Sequence, residues 1–147
     1  MTHDFEQSLA DYCRLFAGLR PADLDRFQDV YTPDARFKDP FNDVRGLAAI
    51  QAVFRHMFAV ADSPRFEVLE QVPAGAVGYV RWRFRFATRG SSPREWAIDG
   101  VSRIAFAADG RVEEHIDYWD PVEGLYGRLP GVGWLFRLPR RWLAAPT

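Results

Sequence analysis

The sequence predicts an α+β domain in which helices pack on one face of a curved, mainly antiparallel sheet. Three observations predict it. Apolar residues recur at helical spacing through the first 61 residues, they switch to strict alternation after residue 79, and a strong turn signal sits at Ala108-Asp109-Gly110. Runs of helices followed by runs of strands place the helices together on one sheet face.

Phe5, Leu9, Tyr12, Cys13, Phe16 and Leu19 mark a first helix over residues 4–19. Arg20-Pro21-Ala22-Asp23 interrupts it, and Pro21 suits the first turn of a second, shorter helix with Leu24, Phe27, Val30 and Tyr31 on its apolar face. Thr32-Pro33-Asp34 ends that helix, and Ala35–Asp39 alternates as a short strand stopped by Pro40. After a loop over Phe41–Gly46, Leu47, Ile50, Val53, Phe54, Met57, Phe58 and Ala61 give a third helix, closed by Pro64. Phe66–Val72 reads as a strand with Phe66, Val68 and Val72 on one face and Leu69 disturbing the alternation. Val80, Trp82, Phe84 and Phe86 alternate with Arg81, Arg83 and Arg85 in the clearest strand of the chain. Residues 95–107 form another, with Trp96, Ile98, Ile104 and Phe106 on one parity, and Arg111–Asp120 forms the last. Gly100 marks a bulge in the strand before it.

At 147 residues the chain suits one domain spanning 1–147, with 128–147 as an aromatic and basic tail that covers a pocket mouth or packs on a second subunit. Nineteen Lys and Arg oppose twenty Asp and Glu, so no field draws nucleic acid, and membrane contact is not expected. The single cysteine, Cys13, excludes an internal disulfide and reads as a buried structural thiol. The start Met1-Thr2-His3-Asp4-Phe5-Glu6 has neither a basic nor an apolar leader region, and no stretch approaches a membrane span, so a cytoplasmic location is expected. The unusual quantity is aromatic content, at 15% with 12 Phe, 5 Trp and 5 Tyr. Long twisted strands under three helices leave a hollow, and so many flat side chains suit a wall around it.

Tyr31-Thr32-Pro33-Asp34-Ala35-Arg36-Phe37-Lys38-Asp39-Pro40, then Gly46 and an apolar helix, resembles the nuclear transport factor 2-like superfamily and its ketosteroid isomerase and SnoaL-like branches. Asp109-Gly110-Arg111-Val112 followed by His115-Ile116-Asp117-Tyr118-Trp119-Asp120 resembles the end of SnoaL-like domains. The resemblance covers about residues 5–127 and implies a cone-shaped α+β barrel, commonly a homodimer, here expected to pair through the sheet. It implies no single reaction, because this fold hosts isomerases, cyclases, hydrolases, dehydratases and non-catalytic domains. In the steroid isomerases the Asp before Pro is the general base, and Asp39 holds that place. Their oxyanion tyrosine falls on Leu15, with Tyr12 a turn away, and their neutral aspartic acid falls on Ser102, or on Asp99 if a few residues are inserted. Limonene epoxide hydrolase is similar at Asp117-Tyr118-Trp119-Asp120, but its Arg-x-Asp on the first long strand is replaced here by Arg81-Trp82-Arg83 and Arg83-Phe84-Arg85. SnoaL-like cyclases use an Asp and a His from the late strand, which His115 and Asp117 match.

On a strand His115, Asp117 and Trp119 share one face, and Val112, Glu114, Ile116 and Tyr118 the other. Parity does not choose between them, whereas the resemblance turns His115 and Asp117 inward. An Asp beside a His in an apolar hollow either orients the imidazole or shares its proton, and burial of an isolated carboxylic acid favours proton abstraction next to a carbonyl. The competing reading is a buried polar pair without chemistry. Asp-Pro at 39–40 is equally a common turn device, and Asp99 is equally an ion-pair partner of Arg83 or Arg85. The candidate catalytic residues are therefore Asp39, His115 and Asp117, with Tyr12, His56, Trp82, Trp96, Asp99, Ser102 and Trp119 as pocket candidates. His3, His56 and His115 lack ligand spacing, and no phosphate loop, dinucleotide fingerprint or nucleophile elbow occurs, so neither metal nor cofactor is expected. The expected function is acid/base chemistry on a small apolar carbonyl compound of polyketide, terpenoid or steroid type. The alternatives are a non-catalytic binder of a small apolar ligand and a dimeric interaction module.

Overall fold

In a computed structural model, which describes residues 3–125 and beyond them Gly131, Trp134, Leu135 and Ala144, the chain opens with helix α1, Phe5–Ala17. Asp4 caps it by accepting the Gln7 amide at 3.0 Å, satisfying one of the free donors of a helix start. Its apolar spacing buries Leu9, Tyr12, Cys13 and Phe16. A 3-10 turn, Pro21–Arg26, leads into the single turn α2, Phe27–Val30. The predicted second helix thus stops before Tyr31, which already belongs to strand β1, Tyr31–Lys38.

Strand β1 is longer than the sequence predicts because Pro33 sits in a bulge. Pairing with the last strand skips from Tyr31 to Arg36, and pairing with β2, Asp43–Arg45, begins only at Arg36. The missing proline N–H therefore breaks no ladder bond. The segment expected as a plain loop contains β2.

Helix α3, Leu47–Val60, ends earlier than Pro64 because the chain turns straight into strand β3, Ala61–Ala74. Pro64 occupies a second bulge, between Asp62 and Arg65, next to Ser63 at φ 49°. A third bulge between Val68 and Glu70 leaves Leu69 without a partner and reverses the alternation beyond it. Val72, expected on the same face as Phe66 and Val68, is exposed for that reason.

Strands β4, Val77–Thr88, and β5, Glu95–Phe106, pair without a break from Val77 opposite Ala105 to Ala87 opposite Glu95. Gly100 is therefore not a bulge. It faces Trp82, and a methyl group there would enter the indole ring. Strand β6, Val112–Tyr118, and a one-turn helix α4, Pro121–Gly124, complete the described fold. The sheet order is β2-β1-β6-β5-β4-β3, antiparallel except for β1 beside β6. The sheet is open, with β2 and β3 as its edges, and its curved wall packed with helices is the cone-shaped α+β architecture that the resemblance implied. Helices α1 and α3 cover its concave face, and Phe27, Tyr31, Ile50 and Ile104 lie at the bottom of the core with no exposure. Apart from the four residues named above, the predicted tail at 128–147 lies outside the described residues. No described helix is long and apolar enough to cross a membrane.

Candidate active site

Between α1, α3 and the concave face lies a cavity of about 430 Å3, within the size range of small-molecule sites. Strand alternation supplies its aromatic wall. Phe66 stacks on Phe84 at 4.5 Å and Phe84 on Phe86 at 5.2 Å, while Val53, Phe54 and Met57 face them from α3. Phe41 and Trp119 meet edge to face at the rim, 5.5 Å apart.

The polar groups of the cavity converge on β6. Residues 115, 117 and 119 all line it, so the face holding His115 and Asp117 is the inner one. His115 is 5% exposed, against the ring of Phe37 at 4.8 Å. Parallel pairing of β1 with β6 sets Phe37 opposite His115 and delivers that contact. His115 Nε2 is 2.6 Å from Asp117 Oδ1, and its Nδ1 is 2.6 Å from the Tyr12 hydroxyl, which lies 2.5 Å from the Tyr31 hydroxyl. From the other side Trp82 Nε1 donates to Ser102 Oγ at 2.7 Å, and Ser102 Oγ donates to Asp117 Oδ1. Ser102 faces Asp117 across the β5–β6 ladder, and the indole reaches Ser102 because Gly100 lets it lie flat on the strand.

Hydrogen counting gives this chain a direction. An indole N–H only donates, so Ser102 accepts from Trp82 and passes its own hydrogen to Asp117. Among the described residues the buried Tyr31 hydroxyl touches only Tyr12, so it must donate there or strand a hydrogen. Tyr12 then donates to His115 Nδ1, which leaves Nε2–H to donate to Asp117. Two donor chains end on one oxygen of an acceptor-only carboxylate. Asp117 Oδ2 takes no hydrogen bond among the described residues, and its side chain is 14% exposed. Burial, with the neighbouring Tyr31 and Asp117 acting in the same direction, raises the pKa of Tyr12 well above its ordinary value. Burial raises Tyr31 likewise, and pushes the Cys13 thiol beside them up to about 11. All three hold their protons at neutral pH.

The remaining candidates divide. Asp39 stands at the cavity edge with its carboxylate turned into its own loop, accepting the Phe41 and Asn42 amides at 2.7 Å and the Asn42 side-chain amide at 3.0–3.1 Å. It closes a turn. His56 lines the rim from an exposed position on α3. Asp99 belongs to the other side of the sheet, half exposed and bonded twice to Arg83 at 2.6 and 3.0 Å, and that guanidinium holds its carboxyl below the usual range. Period-2 geometry puts an odd residue of β5 outside while Ile98, Ser102 and Ile104 face in. Trp96 shares the inner parity but stacks on Phe86 at 6.2 Å, one step beyond the cavity lining. Tyr31, which the sequence puts on a helix face, is the residue that reasoning from pattern missed. No local signal marks it, because its role appears only when β1 and α1 meet. Among the described residues no three His, Cys, Asp or Glu side chains gather as a metal site requires.

Comparison with known proteins agrees with this fold. A candidate SnoaL-like polyketide cyclase from Jannaschia sp. CCS1 superposes with a TM-score of 0.70 at 21% identity, over 80% of this chain and 88% of that one. An NTF2-like protein of unknown function from Burkholderia pseudomallei gives 0.68 at 20% identity, over 81% and 92%. A candidate isomerase from Bacillus subtilis gives 0.68 at 15% identity, over 82% and 91%. Identities this low establish a shared fold and not a shared reaction. No curated protein matches the sequence. The family model for the SnoaL-like domain matches residues 13–115, from the helix that carries Tyr12 to the histidine at the centre of the polar chain, and the protein belongs to that family.

Proposed function

We propose that the protein is a cofactor-independent acid/base enzyme acting on a small apolar carbonyl compound, with Asp117 as the proton-shuttling base. One observation carries this reading. A carboxylate faces an aromatic cavity with one oxygen tied by His115 and Ser102 and the other, among the described residues, left over. Preorganised donors on one oxygen fix the direction in which the second points, as proton abstraction requires.

In the proposed step Asp117 Oδ2 takes a proton from the carbon next to the carbonyl. The C–H electron pair becomes the enolate double bond, and the carbonyl oxygen takes the charge. Return of the proton to a different carbon completes an isomerisation. Attack by the enolate carbon on a second carbonyl of the same molecule closes a ring instead, and the proton goes to the new alkoxide. His115 and Ser102 hold Asp117, and Tyr12 with Tyr31 holds His115. The hydroxyls of Tyr12, Tyr31 and Ser102 are already committed, and His56 and Trp119 at the rim are lining groups placed to donate to the oxyanion. In this reading Asp39, whose carboxylate accepts hydrogen bonds within its own loop, shapes the mouth, and the role of base goes to Asp117. The candidate cyclase and candidate isomerase among the structural neighbours are compatible with either outcome.

That same commitment of the interior hydroxyls favours a second reading, a binding domain for an apolar ligand with Asp117 as its orienting group. Deuterium incorporation separates the two. In heavy water the protein is expected to speed exchange next to the carbonyl in one or more members of a panel of apolar cyclic ketones and 1,3-diketones. Asp117→Asn should abolish that exchange while ligand binding persists. Binding without exchange by the unaltered protein sinks the enzymatic reading.

A further inference from the structure

The loop between β1 and β2 carries an arrangement that the proposed proton transfer does not use. The Asp39 amide donates to the Asn42 carbonyl at 2.9 Å, and the Asp39 carboxylate accepts the Phe41 and Asn42 amides at 2.7 Å and the Asn42 side-chain amide at 3.0–3.1 Å. Residues 39–42 are thereby fastened to one another, and Pro40 fixes a backbone angle inside the turn. So many donors on one carboxylate make the turn rigid, and a rigid turn holds in place whatever side chain stands on it.

The side chain it holds is Phe41. That residue is half exposed, with its ring edge to face against Trp119 at the cavity rim. Trp119 comes directly after β6 and lines the cavity as Asp117 does. The aromatic pair therefore joins two separate stretches of chain at the mouth, one shaped by Asp39 and one by β6. An apolar guest entering past it must part the two rings, and a short loop moves far faster than packed helices and strands rearrange.

We infer that Phe41 and Trp119 form a gate over the mouth and that Asp39 is its positioning residue, acting through the turn and not on the ligand. The inference rests on the reading of this cavity as the functional site and adds how its traffic is controlled. It gives a separate role to the carboxylate that the resemblance made a general base. A gate that stands closed with and without a guest sets the rates of entry and exit together and leaves affinity nearly alone. A residue that grips the guest changes chiefly the exit rate.

Stopped-flow fluorescence of N-phenyl-1-naphthylamine, a neutral apolar dye, tests it on the full chain at pH 7. In Asp39→Ala the entry and exit rates should both rise about three- to tenfold, the worth of one aromatic pair, with the dissociation constant held within about twofold. Asp39→Asn keeps a carbonyl oxygen for the Phe41 and Asn42 amides, and the Asn42 side chain can turn over to accept from the new amide. Its rates should return to those of the unaltered protein. Phe41→Ala, at a half-exposed position, should show the same rise and decides the matter if Asp39→Ala does not fold. Combining the two alanine changes should add nothing to Phe41→Ala alone, since Asp39 acts through that ring. Unchanged rates in both alanine variants, a change confined to the exit rate, or no rescue by asparagine overturns the inference while leaving the cavity a binding site. Failure of the dye to bind overturns it together with the reading beneath it. Faster traffic without deuterium exchange leaves the gate standing and removes the enzymatic reading.

Discussion

Asp99 and Asp117 lie on neighbouring strands of one sheet, yet opposite faces give them different chemistry. Asp99 projects outward, where Arg83 pairs with it and water screens both. Its face carries a ladder of such pairs, Arg81 with Glu70, Arg85 with Glu67, and Arg103 with Glu114. Asp117 projects inward, where neutral donors hold it and, among the described residues, no guanidinium bonds to it. A cation would neutralise a base. Two neutral donors steady a charge and leave one oxygen able to act.

The largest expected effect sets the same substitution on the two faces. Asp117→Asn should lower the exchange rate by about 100-fold or more, the usual worth of a positioned general base, whereas Asp99→Asn should leave it within about twofold. Equal losses would mean that parity does not separate the two carboxylates.

Alkaline titration comes next. Tyr12 and Tyr31 have pKa values raised above 10 in the folded protein, so above pH 10 the unfolded chain loses these protons first. Stability present below that point should then fall as pH rises, by about 1.4 kcal/mol per pH unit for each tyrosine. Cys13, raised from 9 to about 11, begins the decline near pH 9. Urea unfolding from pH 8 to 11 measures the slope, and Tyr31→Phe should make it shallower. The outward carboxylates behave oppositely. Asp99 and Asp43, held low by Arg83 and Arg36, contribute above their unfolded pKa and lose that contribution as pH falls through the folded one.

Gly100→Ala should cost about 1–3 kcal/mol, an overpacking effect, because the new methyl enters the Trp82 ring. Near-UV circular dichroism should record the displaced indole, and the Trp82 bond to Ser102 should weaken with it. Smallest of all, Arg83→Ala should shift the urea midpoint by no more than its error and leave exchange unchanged. A loss of activity there would tie the outer ladder to the site.

Much of this comparison is legible in the residues themselves. Alternation of Val80, Trp82, Phe84 and Phe86 with three arginines names both faces of β4 directly. Resemblance turned His115 and Asp117 inward, and counting back from Gly110 reached Ser102, which faces Asp117. What stayed hidden was non-local. Tyr12 reaches His115 across 103 positions, and nothing beside either residue announces the other. Tyr31 looked helical because Thr32-Pro33 reads as a helix stop, and only the bulge that shelters Pro33 allows a strand. Asp99 looked like a pocket residue only if residues were inserted, and the unbroken β4–β5 register leaves no room for them.

The side-by-side, same-direction pairing of β1 with β6 bears on how the molecule comes into being. Residues 31–38 must wait for residues 112–118 before their shared ladder forms, and contacts of such long sequence separation form slowly. On the ribosome the helices and β1 emerge first, with an unsatisfied edge and a row of aromatic rings awaiting cover. Chains halted before His115 would carry the greasy walls without the polar centre, so such fragments should be substrates for chaperones before they are catalysts of anything.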